Sequence, residues 1–246
     1  MNMYKRLPLQ GLKNIRDLGG YPIPGGTTRY GVFLRSEIPS ELSEGDLAFL
    51  RDYGLAVSID LRSAYEAERV PDVFAAVEWM DYRRLAAFER LEMGTPEEKK
   101  KPAGEFWGEK YAGMADRYGE WVKRVFEVCA EAEGAVLFHC TTGKDRTGMI
   151  AAMLLGACGV AEEDIIADYC VSEVYLSHIY SNMGKYYKDS DAYDPADPFY
   201  STSPENMRHF LRHIRGKYGS MEAYLRCCGV TEDVLSRIRA KLAAKV

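Results

Sequence analysis

Positive charge is in short supply: 32 lysines and arginines stand against 37 aspartates and glutamates, for a formal net charge of -5. The basic footprint that general nucleic-acid binding requires is missing, so no nucleic-acid partner is expected. Attraction for an anion has to be local. No apolar run approaches the length of a transmembrane helix, which leaves out an integral membrane segment. Met1 to Gln10 carries Lys5 and Arg6 with no apolar stretch behind them, so a secretory signal is not expected either. Cysteines are few, at 129, 140, 158, 170, 227 and 228, and form neither a CxxC pair nor a regular framework. That usage fits a reduced, cytoplasmic setting, with signal-independent secretion left open. Internal repeats and low-complexity linkers are absent as well, and residues 1–246 read as a single domain.

What is present is ordinary globular material, 47% hydrophobic and 28% charged, with alternating strand and helix signals. Val32 to Arg35 and Leu55 to Leu61 read as strands, and Glu78 to Tyr82 as a further one. Ser43 caps a helix that Gly54 closes, and Ala115 to Ala132 has helical spacing ending before Gly134. The pattern predicts an α/β fold: a central, mostly parallel sheet flanked by helices, with a helical portion from Glu162 onward. Residues 86–114 mix glycine, proline and a charge run and read either as a lid insertion or as solvated surface.

The most informative stretch is His139-Cys140-Thr141-Thr142-Gly143-Lys144-Asp145-Arg146-Thr147-Gly148. An apolar run, Ala135 to Phe138, precedes it as a buried strand; another, Met149 to Leu155, follows as a buried helix. The loop therefore lies at a helix N-terminus, where free backbone N–H groups and the helix dipole favour an anion. Those amides, with Lys144 and Arg146, would favour the thiolate of Cys140, the form in which cysteine attacks. Amides from Thr141 to Thr147 could wrap a phosphate, and Arg146 could grip two of its oxygens side by side. Gly143 would let the backbone turn closely around the anion, Gly148 would permit close packing, and Thr147 would hydrogen-bond the Cys140 sulfur.

Rival readings of this loop fail on its residues. A nucleotide-binding P-loop needs glycine where Phe138 stands and Ser or Thr where Asp145 follows the lysine. A zinc site lacks further ligands near Cys140. In Asp189 to Ser203 a calcium loop would need glycine at Asp194 and glutamate at Tyr200. His209 and His213 sit four apart, but Phe210 occupies the place of a metalloprotease glutamate, so they read as a helix surface feature. Cys227-Cys228 reads as packing. No metal and no cofactor are expected.

His139-Cys140-x5-Arg146-Thr147 resembles the signature loop of the cysteine-based protein tyrosine phosphatase superfamily, and HCTTGKDRTG resembles its bacterial tyrosine and dual-specificity branch. Three further stretches resemble that branch: Asn14 to Tyr21, Ser58 to Ser63 with Glu66 behind it, and Tyr218 to Leu225. The resemblance implies hydrolysis of phosphate monoesters through a phosphocysteine on Cys140. It implies a phosphotyrosine, phosphoserine or phosphothreonine protein substrate, or a phosphoinositide, a phospholipid headgroup. Lys144 at the cradle would suit a multiply phosphorylated ligand. A catalytically silent phosphate-binding module is the alternative. Arg16, Arg35 and Arg62 could add positive charge, or pair within the fold, Arg62 with Glu66. For the general acid, Asp145 comes first, either as acid or as a partner that positions Arg146; Asp60 at a strand end comes second, and Asp81 and Asp116 follow.

Overall fold

The apolar run Ala135 to Phe138 becomes the middle of a sheet, and the rest of the chain is arranged around it. The computed structural model describes residues 5–88, 95, 97–102, 104–181 and 197–245. Arg16–Asp17 (β1), Pro22–Ile23 (β2), Gly26–Thr28 (β3) and Phe33–Ser36 (β4) precede helix Glu44–Asp52 (α1). Leu55–Asp60 (β5) leads into Ala64–Arg69 (α2), and Asp81–Arg84 forms β6. Glu105–Arg117 (α3) and Gly119–Glu131 (α4) return the chain to Ala135–His139 (β7). Among the described residues there follow the helices Asp145–Ala157 (α5), Glu162–Cys170 (α6), Ser172–Ser181 (α7), Pro204–Tyr218 (α8), Met221–Cys227 (α9) and Glu232–Leu242 (α10), before Ala243–Lys245 (β8).

The main sheet runs β1-β4-β7-β5-β6, with β4, β7, β5 and β6 parallel and β1 antiparallel at the edge. This is the α/β architecture expected from the sequence. Strand β7 is buried throughout because both faces are covered. Val136 and Phe138 point into a core shared with α3, α4 and α5, while Ala135 and Leu137 point into a second core with Leu7, Leu12, Leu50 and Phe74. Ser36, His139 and Asp60 lie level in the ladder, so their strands end together. The loop from Cys140 opens at this carboxyl edge, where ligands of parallel sheets gather. A second small sheet, β2-β3-β8, ties residues 22–28 to 243–245, a pairing the sequence did not suggest.

Two expected elements are shifted. The strand expected at Glu78 to Tyr82 starts at Asp81, because Val73–Ala76 forms a 3-10 turn and Met80 closes back on Val77. The helix expected over Ala115 to Ala132 is two helices broken at Tyr118, which donates to the Met114 carbonyl and accepts from Val122. The break lets α3 and α4 each bury a separate face, Trp107 and Tyr111 on one, Trp121 and Val125 on the other. Within the segment read as lid or surface, residues 104–114 are neither: Phe106, Trp107, Tyr111 and Met114 belong to the main core. Residues 89–94, 96 and 103 of that segment, and 182–196 of the rejected calcium segment, lie outside the described residues.

Asp46 links the N-terminal segment to α1. Its carboxylate caps Ser43 and accepts the backbone N–H groups of Gln10 and Gly11 at 2.8 and 3.0 Å. Asp46→Ala leaves those donors without their partner, and thermal denaturation should show a loss of about 1–3 kcal/mol. An unchanged melting temperature would mean that water replaces the carboxylate at no cost.

Candidate active site

The loop after β7 is shaped by what happens to its carbonyls. Thr141 O accepts from Ile38 N at 3.1 Å, Thr142 O from Asn14 Nδ2 at 3.0 Å, and Gly143 O from Arg35 Nη2 at 2.7 Å. In a planar trans peptide the C=O and the next N–H point in opposite directions. Tying back these three carbonyls therefore turns the amides of Thr142, Gly143 and Lys144 to the other side of the loop. Gly143 makes the turn with φ 71°, and a Cβ there would meet the Ser36 carbonyl at 2.4 Å. Gly148, as expected, sits close against Tyr169, at 3.1 Å from where its Cβ would be.

Behind the clamp lies a buried hub, Asp168 on α6. Its carboxylate takes Arg35 Nη1 at 2.5 Å, Arg16 Nε at 3.0 Å and the Tyr21 hydroxyl at 2.9 Å. Burial alone would push its proton affinity up, but Arg16, Arg35 and Lys5 overcome this and hold it well below the usual carboxylate range. Arg16 also donates to Asn14 Oδ1 and Ser172 Oγ, which aims the Asn14 amide at Thr142. Arg16 and Arg35 are thus engaged within the fold, behind the loop.

Arg146 is held from the other side. Its Nη1 and Nη2 donate to the two oxygens of Glu66 at 2.8 and 2.7 Å, and the Phe88 ring lies 5.2 Å from the guanidinium carbon. Nη1 also reaches the Leu61 carbonyl at 3.4 Å, which leaves Nε–H and one Nη2 hydrogen sharing an edge. Glu66 accepts further from Thr141 Oγ1 and from the N–H and hydroxyl of Ser63. Desolvation opposes its charge, yet Arg146 and these donors hold it down at about 2. The expected Arg62–Glu66 pair does not form. The Ser63 capping box turns Glu66 back toward the loop, and Arg62 instead grips Asp60 at 2.7 Å and the Val70 carbonyl at 2.8 Å.

Lys144 departs from its expected place in the cradle. Its ammonium is buried and donates to the carbonyls of Phe199 and Ser201 at 2.7 and 3.2 Å, 4.7 Å from the Trp107 ring centre. Its backbone amide serves the loop, while its side chain straps residues 199–201 to it. Burial lowers its proton affinity, with Asp145 at 3.5 Å opposing that shift. The Thr147 hydroxyl is buried without a hydrogen-bond partner, so the expected bond to the Cys140 sulfur is not made in this structure. Cys140 itself is buried.

The four candidate acids separate by environment. Asp60 is fully buried and accepts from Nε, Nη2 and the backbone N–H of Arg62 and from the Tyr82 hydroxyl at 2.8 Å. Burial works against its charge, but His139 and Arg62 hold it below the ordinary aspartate range, so it anchors the strand ends and carries no proton to give. Asp81 is exposed and paired with Arg83 on edge strand β6. Asp116 binds His213, Lys217 and Tyr218 where α3 meets α8 and is held at about 2, against the pull of desolvation. Asp145 alone stands in the loop, as the first residue of α5, with Tyr111 Oη donating to Oδ1 at 2.5 Å.

His139 precedes Cys140 and faces two carboxylates, Asp72 at 2.7 Å and Asp60 at 3.9 Å. Burial favours the neutral ring, but the carboxylates prevail and raise its proton affinity. These three residues form the group at metal-ligand spacing found among the described residues. Arg62 pairs with Asp60, and the imidazole lies against Asp72. All six cysteines are free thiols. Tyr218 to Leu225 lies against the α3–α4 junction, Tyr224 Oη donating to Ala115 O at 3.2 Å, and serves the scaffold.

A family model described as the tyrosine phosphatase family matches residues 7–244. The chain is 32% identical to a tyrosine-protein phosphatase of Nostoc commune, over 86% of this chain and 74% of that one. It is 26% identical to the triple specificity protein phosphatase PtpB of Mycobacterium tuberculosis, over 95% of this chain and 98% of the relative. The solved structure of TpbA from P. aeruginosa overlaps 86% of this chain and 96% of its own at 13% identity, with a TM-score of 0.37.

Two outcomes follow from the clamp and the Glu66 pair. Gly143→Ala, whose Cβ would strike backbone, should abolish turnover while circular dichroism stays native; retained turnover would show that the turn tolerates a side chain. Glu66 has a folded-state value of about 2 against an ordinary 4.5. Its contribution is therefore fully present above about pH 4.5 and is lost as pH falls toward 2. Stability measured across that window should fall more steeply for the unsubstituted protein than for Glu66→Gln, and parallel curves would refute the coupling.

Proposed function

The chain belongs to the tyrosine phosphatase family, and we propose that it hydrolyses phosphotyrosine through a phosphocysteine on Cys140. The observation that carries this reading is the set of three tied-back carbonyls beside Cys140, with Arg146 fixed across from them by Glu66. Amides of Thr142, Gly143 and Lys144 hold phosphate oxygens, and the free edge of Arg146 takes two more hydrogen bonds. This field favours the charge of the phosphoryl group in flight.

In the first step Cys140 Sγ bonds to phosphorus as the ester P–O bond breaks, and the leaving oxygen takes a proton from Asp145. In the second step a water oxygen bonds to phosphorus, the S–P bond breaks, and the water proton passes to Asp145. Thr147, whose buried hydroxyl has no partner to give up, serves the departing sulfur. His139, the residue before the nucleophile, lies between Asp72 and Asp60, whose carboxylates raise its proton affinity against the pull of burial.

Phosphotyrosine stands first among substrates. Phosphoinositides stay implied by the resemblance, while the added support from the Lys144 charge falls away, since that ammonium is spent on Phe199 and Ser201. The triple specificity of the mycobacterial relative supports testing phosphoserine and phosphothreonine alongside.

Phosphate release should be measured from a phosphotyrosine peptide, a phosphoserine peptide and a phosphoinositide. The phosphotyrosine peptide should turn over fastest, and Cys140→Ser should lose at least about 10³-fold. Binding of phosphopeptide without any turnover under reducing conditions would replace the enzyme with a phosphate-binding module. Asp145→Asn should slow aryl phosphates with poor leaving groups by about 10²-fold or more while sparing good ones. Equal losses on both would leave Asp145 as a structural partner of the loop.

A further inference from the structure

Three side chains from three helices converge on Asp145. Tyr111 of α3 donates to Asp145 Oδ1 at 2.5 Å; Tyr169 Oη of α6 lies 2.9 Å from Tyr111 Oη; Asn206 Nδ2 of α8 lies 3.2 Å from Tyr169 Oη. Tyr111 and Tyr169 are fully buried, Asn206 almost so. Sequence gives no hint of the set, since the Tyr111–Asp145 contact spans 34 residues and the Asn206–Tyr169 contact 37.

The protons of this chain can run in one direction only. Asn206 Nδ2 also lies 3.2 Å from the Ser201 carbonyl, which can only accept, so the NH2 end of the amide faces both partners. Tyr169 therefore accepts from Asn206 and gives its own proton to Tyr111. Tyr111 accepts it and gives its proton to Asp145 Oδ1. Burial keeps both phenols protonated, their proton affinity pushed well above the ordinary value. The Lys144 ammonium, 3.5 Å away, faces the same oxygen. A proton on Oδ1 would leave the Tyr111 O–H only the weaker acceptor of a carboxylic hydroxyl oxygen, whereas a proton on Oδ2 leaves Oδ1 as the stronger carbonyl acceptor. Oδ2 has no such donor among the described residues.

We propose that Tyr111, backed by Tyr169 and Asn206, is a positioning residue that confines the transferable proton of Asp145 to Oδ2. This rests on the reading of Asp145 as general acid. The three-helix chain stands in for the movable loop that carries the acid in other phosphatase designs: the acid is fixed in the signature loop, and its second oxygen is locked from behind.

The test is the dependence of kcat/KM on leaving-group pKa across a series of aryl phosphates. In the unsubstituted enzyme the dependence is shallow, and Asp145→Asn makes it steep. Tyr111→Phe, which keeps the ring stacked on Trp107, should steepen it part of the way. The loss should be about tenfold on phenyl phosphate, the scale of one hydrogen bond to a charged group, and small on dinitrophenyl phosphate. Tyr169→Phe should steepen it less, and Asp145→Asn with Tyr111→Phe should be no steeper than Asp145→Asn alone. A purely structural Tyr111 would lower every substrate equally, and that result with Asp145→Asn still steep would overturn the proposal alone. If Tyr111→Phe fails to fold, Tyr169→Phe decides it: an unchanged slope counts against the chain. A shallow slope in Asp145→Asn itself would instead remove the acid role, and the proposal with it.

Discussion

A backbone that must show its N–H groups to an anion has to hide its carbonyls, and hidden carbonyls need donors. The signature loop meets this demand with Ile38 N, Asn14 Nδ2 and Arg35 Nη2. Much of what surrounds the site follows from it. Asn14 needs Arg16 to aim it, Arg16 and Arg35 need a shared carboxylate, and Asp168 supplies it from α6. Two guanidinium groups around one carboxylate is a costly arrangement in a protein interior unless every hydrogen bond is met. Here it fixes one loop geometry, at the point where a shift of a few tenths of an ångström would misplace three amides.

That dependence explains what was legible in the sequence and what was not. The places of Cys140, Gly143 and Arg146 could be read because they are set by spacing within one turn between β7 and α5. The parallel sheet could be read from apolar runs such as Ala135 to Phe138. Asn14 to Tyr21 stood out by resemblance, but its purpose lies in Asp168, 152 residues from Arg16, in a helix whose sequence looks ordinary. Glu66 reaches Arg146 across 80 residues, and the capping box that aims it there also defeats the simpler Arg62–Glu66 pairing. Lys144 was misplaced because residue type implies charge and says nothing of direction. Its amide and its ammonium serve opposite sides of the loop.

The environments of the aspartates divide their labour more sharply than their positions do. Asp60 ends a strand level with His139, which made it an attractive acid, yet Arg62 and Tyr82 hold it as a carboxylate. Asp168 is likewise permanently charged, and both act as fixed counter-ions for arginines. Asp145 differs in having its one anchored oxygen hydrogen-bonded by a phenol, with the Lys144 ammonium 3.5 Å from the same atom and no guanidinium on it among the described residues.

Placing Cys140, Asp145 and Arg146 in one turn has a structural consequence. Asp145 and Arg146 open α5 directly after the loop that starts at Cys140, so short backbone connections set the spacing of all three. The support must then come from behind, and it does: Glu66 behind Arg146, Arg35 behind Gly143, Tyr111 behind Asp145. Each partner comes from a different element, α2, β4 and α3; β4 and α3 contribute residues to the cores, and the Ser63 capping box holds Glu66 on α2. Residues 104–114, which resemble a surface insertion by composition, are core for this reason. The helix that carries Tyr111 has to be as rigid as the loop it steadies, and Trp107 and Phe106 provide the buried surface that makes it so.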